Sequence, residues 1–418
     1  MKICFLVDAR SPIAQNWIRY FIAQRHEVDV ISTYPFSDST LPGASLHTVP
    51  VAFSNLARVP HDGKVGTGRG NSLLKPLLAQ MRTGKFSGLT NSVHHWIGPL
   101  DVYRHVGEVK SLLEEIKPDF LHAMRLPYEG ILASLAAGNV RLLISTWGND
   151  LTLFARNFPL IGRMTRQALT RANALHCDCS RDLRLATNWG FDSSKPGIVL
   201  PGNGGVQREL FHQGRPDRKI LKRFSLPEGR TFIINPRGVR PYVRNDAAFS
   251  SLPLILKKRP DAFFLAVAME GNPVAEKWIE NLGITESVRL LPSVSRATMA
   301  ELFRLASITV SPGEHDGTPN TLLEAMACGC FPIAGDIESL REWITNGVNG
   351  LLCDPSNPES LSDAVVRALE DDDLRRRAAS ANQKLIDERA DYQQVMKDAE
   401  KFYQRVIETG QRAEACAG

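Results

Sequence analysis

Two short apolar runs, 306–310 (ASITV) and 331–334 (FPIA), enclose a loop and one amphipathic stretch, and this arrangement restricts the fold more than any other segment. Apolar runs of four or five residues without polar alternation suit strands covered on both faces, as in parallel sheets. Between them, SPGEHDGTPNTLLEAMACGC predicts a short helix with Thr318 as N-cap, Pro319 at the first helical position and Gly329 just past the end. Leu322, Leu323, Met326 and Ala327 would form its apolar face, leaving Glu324 beside Asn320 on another. In open parallel sheets a strand–loop–helix–strand unit of this kind binds phosphate, because backbone N–H groups at the helix start face the anion. Two acids, Asp316 and Glu324, bracket seven residues around that point. Phosphate does not call for acids, but a sugar or ribose does, since carboxylates accept hydrogen bonds from paired hydroxyls.

The same alternation runs through the chain. Strand 2–7 (KICFLV), a helix over 13–24 and strand 27–32 (EVDVIS) open it. Further strands are expected at 46–51, 119–123, 141–145, 174–177 and 198–200. A second series falls at 231–235, 262–268, 288–291, 307–310, 331–334 and 350–352. At 418 residues the chain exceeds one ordinary core, so two α/β units joined near 200–215 are expected.

Composition excludes several classes. With 43% hydrophobic and 23% charged residues the chain reads as a soluble globular protein. No apolar run approaches the ~20 residues that span a bilayer, and the first residues turn polar too soon for a signal peptide. Seven cysteines without a C-x-x-C pair argue against a zinc site or a disulfide framework and fit a reducing cytosol. Residues 1–200 hold 22 Lys+Arg against 15 Asp+Glu, a bias that suggests an anionic partner but is too weak for nucleic acid. The loop DARSPIAQNW after the first strand lacks G-x-G-x-x-G, which weakens an oxidoreductase reading and leaves Asp8, Arg10 and Ser11 as local polar candidates.

The segment DGTPNTLLEAMACG resembles the signature of family four retaining glycosyltransferases, in which two acids separated by seven residues precede E-A-M-A-x-G. Here the first acid is Asp316, where Glu is commoner, and the second is Glu324. The resemblance implies the GT-B fold: α/β, two Rossmann-like parallel-sheet domains facing across a cleft. It implies an acceptor-side domain over 1–205, a nucleotide-sugar domain over 206–385, and a terminal helix in 386–418 crossing back to the first domain.

Other segments match in part. INPRGVRPYVRND resembles the G-R-x-x-x-x-K-G loop, with Arg237 at the Arg and Tyr242 where Lys is expected, so Arg240 or Arg244 would supply the second charge on a diphosphate. LPGNGGVQRELF resembles P-N-G-V-D-x-x-x-F through Asn203, Gly204, Val206 and Phe211, with Gln207 at the Asp position. Its glycines suit either close approach to a ligand or a hinge. DFLHAMRLPYEG places His122 at a strand-end His, and STWGND places Asp150 in T-x-H-G-x-D with Trp147 replacing the His. Asp150 could equally cap the helix after it.

The resemblance thus implies a retaining transfer from a UDP- or GDP-linked sugar to a glycan, glycolipid or small-molecule acceptor. Asp316, His122 and Asp150 are its catalytic candidates. Arg237, Arg240, Arg244, Gly317, Thr318, Asn320, Thr321, Leu322 and Glu324 are the donor-binding ones. No cofactor and no tightly held metal is expected. A cytoplasmic enzyme touching an anionic membrane through a basic amphipathic helix at 71–86 would suit a lipid-linked acceptor. The alternatives are a sugar-nucleotide epimerase, for which clustered acid/base residues are lacking, and a GT-B protein that binds sugar nucleotides without catalysis.

Overall fold

The computed structural model describes residues 1–36, 41–51 and 87–417. The chain forms two compact units: Met1–Cys177 with Leu183–Ile198 and Glu400–Gly418, and Asp178–Asp182 with Val199–Ala399. The basic stretch 71–86 lies outside the described residues.

The first unit holds seven strands: β1 (Lys2–Val7), β2 (Glu27–Ser32), β3 (Ser45–Thr48), β4 (Phe120–Met124), β5 (Leu142–Thr146), β6 (Ala174–Cys177) and β7 (Gly197–Val199). Their order across the sheet is β3-β2-β1-β4-β5-β6-β7. Helix Pro12–Ala23 returns the chain from β1 to β2, with Pro12 in its first turn, where a missing N–H costs nothing. The β1 pairs with β2 and with β4 are both parallel, so the order reverses between β1 and β4.

The second unit holds β8 (Thr231–Asn235), β9 (Ala262–Val267), β10 (Val288–Leu291), β11 (Ile308–Ser311), β12 (Phe331–Gly335) and β13 (Leu351–Cys353). Their order is β10-β9-β8-β11-β12-β13, with the reversal between β8 and β11. Successive side chains point to opposite faces, and both faces are covered. Phe232, Ile234, Phe263 and Leu265 join one apolar cluster, whereas Ile233, Phe264 and Ala266 join the other. That double burial is why the strands read as unbroken apolar runs. Six cysteines, including Cys177, Cys179, Cys328 and Cys330, are buried free thiols.

Candidate functional site

In open parallel sheets ligands bind beyond the carboxyl ends of the strands where the strand order reverses. In the second unit that place lies after β8 and β11. The chain leaves β8 at Asn235, whose side-chain oxygen accepts from the Arg237 N–H at 3.1 Å while its amide donates to Asn245 at 3.0 Å. Asn245 in turn donates to the Gly238 carbonyl at 3.0 Å, which fixes the arginine loop from within. The chain leaves β11 at Ser311 and runs through Asp316 into helix Asn320–Ala327.

The two loops meet. The Arg237 guanidinium donates to the Asp316 carboxylate, and both side chains are mostly buried. The Asp316 carboxylate also accepts from the Gly317 N–H at 3.2 Å, and its carbonyl accepts from Ser339 Oγ at 2.7 Å. Arg244 sits elsewhere: it is bound up with Asp246, with Glu314 at 3.3 Å and with Ser356 Oγ at 2.9 Å. Arg240 is exposed and reaches the Tyr242 hydroxyl at 3.3 Å.

The helix start differs from expectation. Pro319, not Thr318, takes the N-cap position, and no side chain caps the helix. The Thr318 hydroxyl instead donates to the Asp178 carbonyl and accepts from Trp343 Nε1 at 2.9 Å, a tertiary tie that outcompetes local capping. Gly317 is required by the same approach, since a Cβ there would lie 2.3 Å from the Asp178 carboxylate oxygens. Gly329, with φ of 83°, follows the helix end as expected. Leu322 is a core residue, 1% exposed, whose N–H is already donated to the Pro319 carbonyl at 3.0 Å, so it offers nothing to a ligand. The buried Asn320 Oδ1 has no hydrogen-bond partner among the described residues, and Thr321 beside it is half-buried.

Glu324 lies one turn into the helix and is buried. Burial pushes its carboxyl up to about 7, against the opposing pull of Arg296. Arg296 donates to Glu324 Oε1 at 3.0 Å and to Gln207 Oε1 at 2.8 Å, with its guanidinium 5.1 Å above the Phe211 ring. Arg296 belongs to no motif read from the sequence. Its one signal was a cation in the first turn of helix Arg296–Leu305, where the helix dipole disfavours positive charge. Near Gln207, Gly205 has φ of 93°, and a Cβ there would meet the Ala390 carbonyl at 2.4 Å. Backbone packing therefore accounts for that glycine without a ligand.

The first unit corrects two expectations. His122 is fully buried, between the Tyr403 hydroxyl at 2.6 Å and Ser145 Oγ at 2.7 Å. Tyr403 also accepts from Trp17 Nε1 at 2.8 Å, and Ser145 Oγ lies 2.8 Å from His176 Nδ1. Burial, with His176 nearby, holds the His122 pKa well below the ordinary imidazole value. His122 is a core residue rather than one that reaches a substrate. Asp150 is also fully buried, and its carboxylate accepts from the Leu126 N–H at 3.2 Å, the Trp147 N–H at 3.0 Å and Arg125 Nε at 3.3 Å. It holds two strand-end loops together, and its contribution is positional.

Those loops enclose a cavity of about 330 Å³ lined by Asp8, Tyr34, Arg125, Tyr128, Glu129 and Trp147, among others. It opens beyond β1, β4 and β5, where the first sheet reverses order. Arg125 (φ 139°) and Tyr128 (φ 64°) both adopt backbone conformations that favour glycine, a strain on the order of 1–3 kcal/mol each that persists where the surroundings impose it. Glu129 is buried, accepts from Thr33 Oγ1 at 2.8 Å, and is pushed up to about 7 by desolvation. Arg125 to Glu129 lie within DFLHAMRLPYEG, but nothing in the sequence marks the strain.

Asp178, Cys179 and Asp182 place ligand-type atoms within 4.8 Å of one another. Arg181 binds Asp182 at 2.7 Å, and burial raises the Cys179 thiol, so the group reads as an ion-paired cluster rather than a metal centre. No helix among the described residues is long and apolar enough to cross a membrane.

Comparison with known proteins accords with this geometry. The sequence model described as "Glycosyl transferases group 1" matches residues 217–385, and that described as "Glycosyl transferase 4-like" matches 84–179. The D-inositol 3-phosphate glycosyltransferase of Thermomonospora curvata is 26% identical over 234 residues, 51% of this chain and 53% of that protein. The chain spans about half the length of the curated relatives it matches. Among solved structures, HepE of Anabaena in complex with UDP superposes at a TM-score of 0.71 with 14% identity, covering 97% of this chain and 100% of its own. Sucrose-phosphate synthase of Thermosynechococcus elongatus does so at 0.74 with 13% identity, covering 98% and 100%. With two sheets of reversing parallel order and solved structures superposing over nearly its whole length, the chain has the GT-B fold, and its residues 217–385 are similar to the group 1 glycosyl transferases.

Proposed function

We propose that the protein transfers a sugar from a UDP- or GDP-linked donor to a glycan, glycolipid or small-molecule acceptor, with retention of anomeric configuration. The observation that carries this reading is the convergence, beyond β8 and β11, of Arg237, Asp316, the start of helix Asn320–Ala327 and Glu324. The helix start carries its positive end, and because the Leu322 and Leu323 N–H groups are given to the Pro319 carbonyl, the Asn320 and Thr321 N–H groups are the ones that suit a phosphate. Arg237 adds a fork that bonds two phosphate oxygens, and Arg240 is the better second cation because Arg244 is held by Asp246 and Glu314. Glu324, steadied by Arg296, accepts hydrogen bonds from the ribose hydroxyls. Asp316 and the backbone at Gly317 face the sugar. Catalysis then rests on positioning and on electrostatic stabilisation of the departing diphosphate. That HepE was crystallised with UDP supports a nucleotide donor here.

Calorimetric titration with UDP, GDP and ADP tests this. One diphosphate should bind, and Glu324→Ala should weaken it by ~1–3 kcal/mol, the range for hydrogen bonds to a charged group. Failure of all three to bind the folded protein would remove the donor reading. The second reading, a binding protein without catalysis, is favoured by Tyr242 at the expected Lys position and by Trp147 at the expected His position. Nucleoside diphosphate released only when acceptor is present would decide against it.

A further inference from the structure

Tyr242 stands where the arginine-loop motif calls for a lysine. It is the middle residue of the short helix Pro241–Val243, whose Val243 side chain is buried. Its carbonyl accepts from the Glu314 N–H at 3.0 Å. Glu314 follows β11 and precedes Asp316 by two residues, so the arginine loop and the loop carrying Asp316 are joined at this point. The Tyr242 ring is half-buried and joins neither apolar cluster of the second unit, so core packing does not account for it.

The hydroxyl sits among cations. Arg240 Nη1 donates to it at 3.3 Å, and the Arg237 guanidinium hydrogen-bonds the same oxygen. A guanidinium offers five N–H donors and no acceptor, so both contacts use lone pairs of the phenol oxygen. The O–H proton therefore points away from both arginines, and among the described residues no oxygen takes it. An acceptor that enters beside two guanidiniums is best an anion.

Charge explains the exchange of residue type. Arg237 is matched by Asp316, whereas Arg240 is exposed and pairs with no carboxylate among the described residues. An ammonium at position 242 would stand against two guanidiniums and repel both. A phenol O–H donates without adding charge, and its oxygen accepts from its cationic neighbours instead. Arg240 can then supply the second positive charge that the motif's lysine supplies, held in place by the Tyr242 oxygen.

From this we infer that Tyr242 is a diphosphate-binding residue, whose O–H donates to a phosphate oxygen of the nucleotide between Arg237 and Arg240. It takes over the donor part of the lysine's role, and Arg240 takes over the charge. This rests on the donor reading above.

Calorimetric titration of the full chain with UDP, GDP, uridine, guanosine and inorganic pyrophosphate provides the test. Tyr242→Phe removes the hydroxyl and keeps the ring. It should weaken the diphosphate about tenfold or more, the size of a hydrogen bond to a charged group, while the matching nucleoside and the melting temperature stay as in the wild type. A hydroxyl with a structural role alone would lower the melting temperature and weaken both ligands alike. Tyr242→Lys should relieve Arg240 of its task. Arg240→Ala should cost about fivefold or more in diphosphate affinity in the wild type and less than about twofold in the lysine variant, as for two groups that act together. The inference falls if Tyr242→Phe binds the diphosphate as the wild type does, if diphosphate and nucleoside weaken equally, or if Arg240→Ala costs the same in both backgrounds. Failure of UDP and GDP to bind the wild type would instead remove the donor reading. Pyrophosphate titrated into the wild type and Tyr242→Phe would then still decide the hydroxyl, with equal affinities, or binding to neither, overturning its role.

Discussion

The Arg237 guanidinium and the Asp316 carboxylate, 79 residues apart in the chain, form one mostly buried ion pair. The cation assigned to the diphosphate and the acid assigned to the sugar are thus a single electrostatic unit before any donor arrives. Asp316→Asn keeps the shape and removes the charge that holds Arg237. Its expected result is unchanged or tighter UDP binding, with transfer slowed on the order of 10²–10³-fold, as when a transition-state contact is lost. Calorimetry beside a nucleotide-release assay reads both. Parallel loss of affinity and rate would make Asp316 a buttress of the loop only.

Glu324 gives the site a pH dependence with a definite sign. Its folded carboxyl titrates near 7 because it is buried, whereas an unfolded one titrates near ~4.3. The folded state therefore binds this proton more tightly. The stability that Glu324 contributes is full below the unfolded value and is lost as pH rises through 7. Ribose binding at Glu324, as proposed, would run the other way, since the ionised form is the stronger acceptor. UDP affinity should rise between pH 6 and pH 8 in the wild type, and Glu324→Gln should flatten that rise. Equal slopes in the two proteins would place the titrating group elsewhere.

Tyr403→Phe should destabilise the first unit. It takes away the hydroxyl shared by His122 and Trp17, and each buried polar group left unsatisfied costs ~1–3 kcal/mol. A shift of the denaturant midpoint to lower urea, with an unchanged transfer rate for the folded fraction at low temperature, is the expected pair of results. A rate loss without a stability loss would return His122 to the list of catalytic residues.

Gly317→Ala should distort the donor loop. The added Cβ would sit 2.3 Å from the Asp178 carboxylate, so the loop or Asp178 must shift, at ~1–3 kcal/mol for overpacking. Weaker UDP binding together with a lower melting temperature is expected. A neutral outcome would mean that Thr318 and Asp178 separate readily.

The central strands were legible because both of their faces are covered, so 231–235 and 331–334 stand out as apolar runs with little ambiguity. The donor loop was legible because turn and helix-start residues cluster at 316–324. What could not be read was direction. Nothing in the order of residues says that the Thr318 hydroxyl turns to Asp178 rather than to its own helix, or that His122 turns inward to Tyr403. Both outcomes depend on partners more than 100 residues away. The same holds for Arg296, which becomes significant only once folding brings Glu324 and Gln207 to it.

The place of Tyr403 also bears on how the protein is made. The core of the first unit is closed by a ring that stacks on Phe21 and bonds Trp17 and His122, yet this ring follows the whole second unit in the chain. During synthesis from the N-terminus, the first unit emerges with a gap in its interior and must wait for about 200 further residues before the gap is filled. The second unit has no such debt and can complete its core first, so the order of synthesis and the order of consolidation run opposite to each other.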